Sequence, residues 1–393
     1  MKNIKRTAAI ILALIMAFCL VACHPKDEIA VSSGDYKITS AMYSYFLVMA
    51  DMEAQNYVSE NFDTTVKGFD YYKQEIEGKS YSDYVKDQAL ENCVRAIAYQ
   101  KLCAEKGLTL DAESIANAEY MAQYNWYYYG YTYGYQYGYG DFMPQNGVSY
   151  DTYVEAMKLS CYGDIYFKSI YDVGGEKEVA QADIQTTLDE NYAAVYLISK
   201  SYTEKDLTDV KAELEKYKER LQNGEDFETI YKEFKEAEGL KTDDTSSGST
   251  SSDSTSSNNT SSDNTSSDST SSDSTSSEDT TEEDAPEDEH IQIVGSEETD
   301  TNYKFNKFAD VKAMALDEVK LIDDSDSSIM YLAVKKDINA DDYYKKTLNS
   351  DILYILKGDE FYETVDAYMD SLEYEVSKFA INQFKVKKIN YGA

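Results

Sequence analysis

The sequence predicts a mainly helical α+β fold in which both chain ends build one helical lobe and a smaller α+β domain is inserted between them. Three observations carry that expectation. A helical apolar period runs over residues 82–106, resumes near residue 149, and returns beyond Asp337. Compact apolar stretches near residues 193–201 and 328–336 read instead as strands, with two amphipathic helices between them. The terminal helix after Asp337 is long and apolar and needs a partner, for which the first lobe is the natural candidate.

In chain order, Lys2, Lys5 and Arg6 precede an apolar run from Ala8 to Ala22 that is short for a bilayer span, the pattern of an export signal over residues 1–22. The run ends in Leu20-Val21-Ala22-Cys23, which resembles a bacterial lipobox: small residues admit a signal peptidase and Cys23 receives the diacylglycerol. An ordinary signal or an uncleaved anchor is the alternative. Buried acyl chains contribute about 0.8 kcal/mol per methylene, so more than one chain gives lasting attachment. The expected protein is therefore extracytoplasmic and lipid-anchored to the cell membrane.

Residues 23–180 are expected to form the N-terminal part of the helical lobe. "IAVSSGDYKIT" from Ile29 reads as a strand, a tight turn and a second strand, with Thr39 or Ser40 capping the first helix. The second helix, Ser82 to Lys106, puts Val85, Ala89, Cys93, Ala96, Ile97 and Cys103 on one face and stops at Gly107. Asp111 caps a third helix that leads into "NWYYYGYTYGYQYGYG", residues 125–140, with eight tyrosines and a tryptophan. Alternation with glycine follows neither a helical nor a strand period for long, so the stretch reads as a mobile loop between helices.

The inserted domain is expected over residues 181–338. Its first strand is followed by a helix with Leu207, Val210, Leu214, Tyr217 and Leu221 at three and four residue steps, stopped by Gly224. Asp226 caps a shorter helix carrying Phe227, Ile230, Tyr231 and Phe234. Between Lys241 and Lys304 there is no lysine or arginine, while seventeen acidic residues interleave with a Ser/Thr repeat. Such a composition cannot offset its ordering entropy, and residues 241–300 are expected to be disordered, His290 among them. "KFADVKAMALDEVKLI" then reads as a helix and "SIMYLAVKK" as the last strand, and residues 339–393 complete the helical lobe.

The formal charge of −36 repels phosphates and excludes a nucleic-acid partner; it also argues against docking on anionic lipid. Cys93 and Cys103 lie about 15 Å apart along one helix and cannot bridge. With Cys161 they read as small buried apolar side chains. No cofactor and no metal are expected, because these thiols with His24 and His290 lack ligand spacing, and the acidic tract lacks the ordered loop that calcium needs. Neither a Gly-rich phosphate loop nor a Ser-His-Asp constellation is present.

"GDYKITSAMYSYFL", "ALENCVRAIAYQKLCAEKGLTLDAE" and "LQNGEDFETIYKEF" together resemble the extracytoplasmic foldases of the PrsA and SurA type, over nearly the whole chain after the signal apart from the Ser/Asp insert. The resemblance implies a SurA-N-type chaperone lobe, an inserted parvulin-like peptidyl-prolyl isomerase domain, and unfolded or partly folded exported polypeptides as partners. It also implies two histidines facing each other across a proline pocket, one in the first strand and one in the last. Tyr196 and Tyr331 stand at those positions, and Met314 occupies the place of a pocket aromatic.

Rotation about an X-Pro bond has a barrier of about 18–20 kcal/mol, lowered by gripping the twisted imide in a dry pocket. Two replaced histidines imply weak or absent catalysis. In a chaperone lobe the aromatic loop, Trp126, Tyr127, Tyr128, Tyr129, Tyr131, Tyr133, Tyr135, Tyr137 and Tyr139, is expected to contact clients, since tyrosine joins a large apolar face to a polar tip. Packing against the lobe without a client role is the plainer alternative for that loop. For the whole chain the alternatives are an active isomerase and a structural or adhesive surface lipoprotein.

Overall fold

A computed structural model describes residues 28–132, 138–239, 288, 290–296 and 307–391. The export segment with Cys23, and the Ser/Asp tract up to residue 287, lie outside the described residues. The fold is α+β and predominantly helical, as the periodicity predicts.

The described chain begins with β1 (Ile29–Ser33) and β2 (Tyr36–Thr39), antiparallel about a turn at Gly34, whose φ of +63° suits glycine. Thr39 then caps α1 (Ser40–Asn61), its hydroxyl accepting the Met42 N–H at 3.2 Å. A two-residue hairpin, β3 (Glu75–Ile76) and β4 (Lys79–Ser80), leads into α2 (Tyr81–Glu105), which ends before Gly107 at φ +69°. Asp111 accepts the Ser114 N–H at the start of α3 (Ala112–Thr132). A short α4 (Tyr139–Phe142) and α5 (Tyr150–Tyr171) follow.

Next come α6 (Gln181–Asn191), β5 (Tyr192–Ser201), α7 (Leu207–Gln222) and α8 (Phe227–Ala237), the last capped by Asp226. After the undescribed tract lie β6 (Gln292–Gly295), α9 (Phe308–Lys312), β7 (Val319–Asp324) and β8 (Ile329–Lys336). The chain closes with α10 (Asp342–Asp370), β9 (Glu375–Val376) and α11 (Lys378–Asn382).

Two compact units divide the described chain: residues 28–178 with 359–391, and residues 179–358. The second division falls inside α10, whereas the sequence reading places it near residue 338. In the first unit β9 pairs antiparallel with β1, Val31 opposite Val376, so the chain's two ends share a sheet of order β2-β1-β9. The end of α10 packs into the same unit. Phe361 is buried against Tyr99 and Phe167, Arg95 donates to Asp366 at 2.8 Å, and the Tyr368 hydroxyl donates to Glu105 at 2.7 Å.

A buried carboxylate fastens the C-terminus here. Asp51 on α1 accepts the hydroxyls of Tyr81 at 3.0 Å and Tyr391 at 2.6 Å, and the Gln55 amide at 2.9 Å. Burial raises its pKa above the ordinary 3.8, against the hydrogen bonds, which lower it. A folded-state pKa raised in this way adds stability that is complete below the unfolded value and is lost as pH climbs through the folded one. The unit is therefore expected to lose part of its stability as pH rises out of the carboxyl range, and Asp51→Asn to flatten that loss. Urea unfolding of protein and variant at stepped pH measures the difference; parallel curves would show that Asp51 titrates normally.

The second unit holds an antiparallel sheet of order β6-β5-β8-β7. Ile198, Met330, Leu332 and Val334 face α7 and α8, packing on Val210, Leu214, Phe227, Ile230 and Phe234. Val195, Tyr331 and Ala333 point the other way, into a cluster with Val294, Val311, Met314 and Ile322. Two expectations are corrected. The expected disorder through residue 300 overlaps β6, because Ile293 and Val294 find a pairing edge along Ala193 and Ala194. The helix expected over "KFADVKAMALDEVKLI" stops at Lys312, and after Asp317 at φ +58° the alternation of Val319 and Leu321 against Ile322 builds β7.

Candidate functional site

The three positions that the foldase resemblance singles out do not line one pocket. Alternation along β5 puts Tyr196 with Ile198 on the helix-covered face, whereas β8 places Tyr331 on the opposite face. Met314 joins Tyr331 there, and Tyr331 is only 5% exposed. Burial, and then the neighbouring Asp324 carboxylate, raise the Tyr331 pKa. The expectation of two residues facing each other across a groove is thus overturned by the pleat: Met330, one position earlier, is the β8 side chain that shares the face of Tyr196.

Tyr196 instead belongs to an aromatic stack. Its ring lies 4.4 Å from Phe227 and nearly parallel to it, and Phe227 stacks in turn on Tyr231 at 5.7 Å. His290, expected in disordered chain, sits edge-on to Phe227 at 5.9 Å and 5.4 Å from Tyr231. The Tyr196 hydroxyl donates to the Asp288 carboxylate, which also accepts the backbone N–H of His290 at 3.0 Å. Burial and then that carboxylate push the Tyr196 pKa up. Lys336 lies 5.0 Å above the Tyr196 ring. Sequence reasoning missed Asp288 and His290; the alternation in "HIQIVG" was the available signal.

The aromatic stretch in the first unit divides into three parts. α3 runs on through Thr132, because Trp126 continues the inward row of Ala118 and Ala122 at steps of four. Trp126 is buried against Tyr150 at 5.4 Å and Tyr153 at 5.6 Å, and Tyr139 is buried against Phe142 and Tyr153. These two residues are core, which corrects their expected place on a client-facing loop. Tyr127 and Tyr128 do point outward, 57% and 54% exposed. The side chains of Tyr129, Tyr131, Tyr133, Tyr135 and Tyr137 lie outside the described residues.

Two of the glycines serve contact rather than pliability. A Cβ on Gly138 would lie 2.3 Å from the Trp126 carbonyl oxygen, and one on Gly140 would lie 2.5 Å from the Trp126 ring nitrogen. The returning chain can press against α3 only without side chains at those points.

Tyr120, 67% exposed, and Tyr124 extend the outward row that Tyr127 and Tyr128 continue, four tyrosines on the solvent side of α3. Beside them, Glu119, Tyr120 and Gln123 of α3 with Tyr150, Val154 and Lys158 of α5 line a groove of about 620 Å³. That volume suits a few side chains of an extended peptide. The groove offers aromatic faces, carboxylates and an ammonium but no nucleophile with a base, so its chemistry is binding. Among the described residues no cluster of His, Cys, Asp and Glu could hold a metal, and no helix is long and apolar enough to cross a membrane.

Fold and groove together define an α+β protein whose mainly helical unit, built from both chain ends, carries an aromatic peptide-sized surface. No protein-family model and no curated protein matches the chain. Among solved structures it is similar to the foldase protein PrsA from Streptococcus pneumoniae, at 16% identity over 79% of this chain and 98% of that one, with a TM-score of 0.37. It is also similar to the foldase protein PrsA from Lactococcus lactis, at 11% identity over 91% of this chain and 100% of that one, with a TM-score of 0.37. Likeness at this level says nothing about activity.

Proposed function

We propose that the protein is a membrane-anchored extracytoplasmic chaperone that holds exported polypeptides before they fold, with weak or absent isomerase activity. The unit of residues 28–178 and 359–391 would serve as the chaperone lobe, the unit of residues 179–358 as the parvulin-like domain, and Cys23 as the lipid attachment. One observation carries the reading: Tyr120, Tyr124, Tyr127 and Tyr128 stand exposed along one helix beside a groove. Large amphipathic rings with few rotatable bonds contact many sequences at low entropic cost, as a holder of non-native chains requires. The placement of Tyr196 and Tyr331 on opposite faces of their sheet favours holding over proline isomerisation.

The test replaces Tyr120, Tyr124, Tyr127 and Tyr128 together by serine. Exposed substitutions of this kind change stability little. The concentration needed for half-maximal suppression of client aggregation is expected to rise about tenfold or more, the equivalent of a few ring contacts. Unchanged suppression would remove this face from the mechanism.

A further inference from the structure

We infer that the groove between α3 and α5 discriminates among polypeptides, taking segments in which lysine or arginine neighbours aromatic or aliphatic residues. This rests on the holding role proposed above and adds what the surface prefers. The feature is the exposed tyrosine face with its adjoining groove, and charge complementarity identifies the occupant. Glu119 enters the groove from α3, and Asp151 and Glu155 from α5; among the described residues Lys158 is the one cation lining it. Lys158 is already engaged, 3.0 Å from Glu119 and 3.4 Å from Glu155. Three carboxylates less one ammonium leave a formal charge of −2 on these walls.

Asp151 stands in the first turn of α5, where the helix N-terminus offsets part of its charge, so Glu119 and Glu155 dominate what an incoming group meets. Tyr120 and Tyr150 present rings within the same cavity. A guanidinium or ammonium lying over a tyrosine and paired with a carboxylate gains both attractions at once, while its aliphatic stem covers apolar surface such as Val154. Anionic segments meet net repulsion here, reinforced at longer range by the formal charge of −36 on the whole chain. Uncharged apolar segments gain only the tyrosine contacts.

The experiment uses the full chain and three fluorescent peptides of one apolar pattern whose polar positions are all lysine, all glutamate or all serine. Fluorescence anisotropy at low and high salt reads the affinities. The lysine peptide is expected to bind about tenfold or more tighter than the glutamate peptide at low salt, with the gap closing as salt screens it. Replacing Glu119→Gln and Glu155→Gln should erase most of that preference. The matched pair Glu204→Gln and Glu236→Gln, on the other unit, should leave the preference in place.

A lysine preference that survives E119Q/E155Q, or that falls equally in both pairs, overturns the inference, because general acidity would then explain the binding. Failure of the holding role reads differently. In that case the fourfold tyrosine variant suppresses aggregation as well as the original protein, whatever the peptides do.

Discussion

Phe361→Ala is expected to destabilise the unit of residues 28–178 and 359–391 by about 3–5 kcal/mol, the usual cost of deleting a buried ring. Phe361 is 1% exposed. It stacks nearly parallel on Tyr99 at 6.1 Å, meets Phe167 edge-on at 5.1 Å, and lies 5.9 Å from Tyr166, so its loss removes these aromatic pairings as well as apolar burial. These partners sit on α2 and α5, whereas Phe361 arrives from the other end of the chain. The substitution therefore asks whether both chain ends belong to one cooperative structure. The protein carries a built-in probe, since its single tryptophan, Trp126, is buried in this unit. Urea unfolding followed by tryptophan fluorescence should shift to lower denaturant in the variant. A transition at the original midpoint would mean that residues 359–370 add nothing to the helical unit.

What the sequence revealed of this architecture was mostly local. Thr39, Asp111 and Asp226 announce helix starts because their side chains accept N–H groups three residues on, and Gly107 and Gly224 announce ends because they take positive φ. That β5 and β8 are strands was legible because each is a compact apolar run. By contrast, β6 and β7 are short, so their alternation was a weak signal by itself, and the sheet edge that receives each fixes it as a strand.

The site was harder to read. Tyr–Gly alternation hid the continuing helix, although Ala118, Ala122 and Trp126 carry its inward row through the first part of the stretch. Choosing Tyr331 over Met330 is a one-residue matter, yet it selects the opposite face of the sheet. Asp51 and Tyr391 meet across 340 positions, and nothing local to either residue signals the other.

In the second unit Phe227→Ala is expected to cost about 3–5 kcal/mol, and to act first on β6. Phe227 lies between Tyr196 and Tyr231 in the stack and takes the edge of His290. β6 itself is four residues long and, among the described residues, pairs on one side only, with β5. Its hold on the unit therefore depends on what anchors the chain just before it: His290 against the two rings, and Asp288 accepting the Tyr196 hydroxyl. Without the Phe227 ring, His290 loses a packing partner and Tyr196 loses the surface that sets its orientation. Amide hydrogen exchange over residues 292–295 is expected to quicken in the variant well before exchange in β5 and β8, which are joined along eight residue pairs. Adding His290→Ala to Phe227→Ala should cost less than the two single changes summed, since both remove the same contact. Strict additivity would mean that His290 does not anchor the strand through Phe227, and that β6 is held by its pairing with β5 alone.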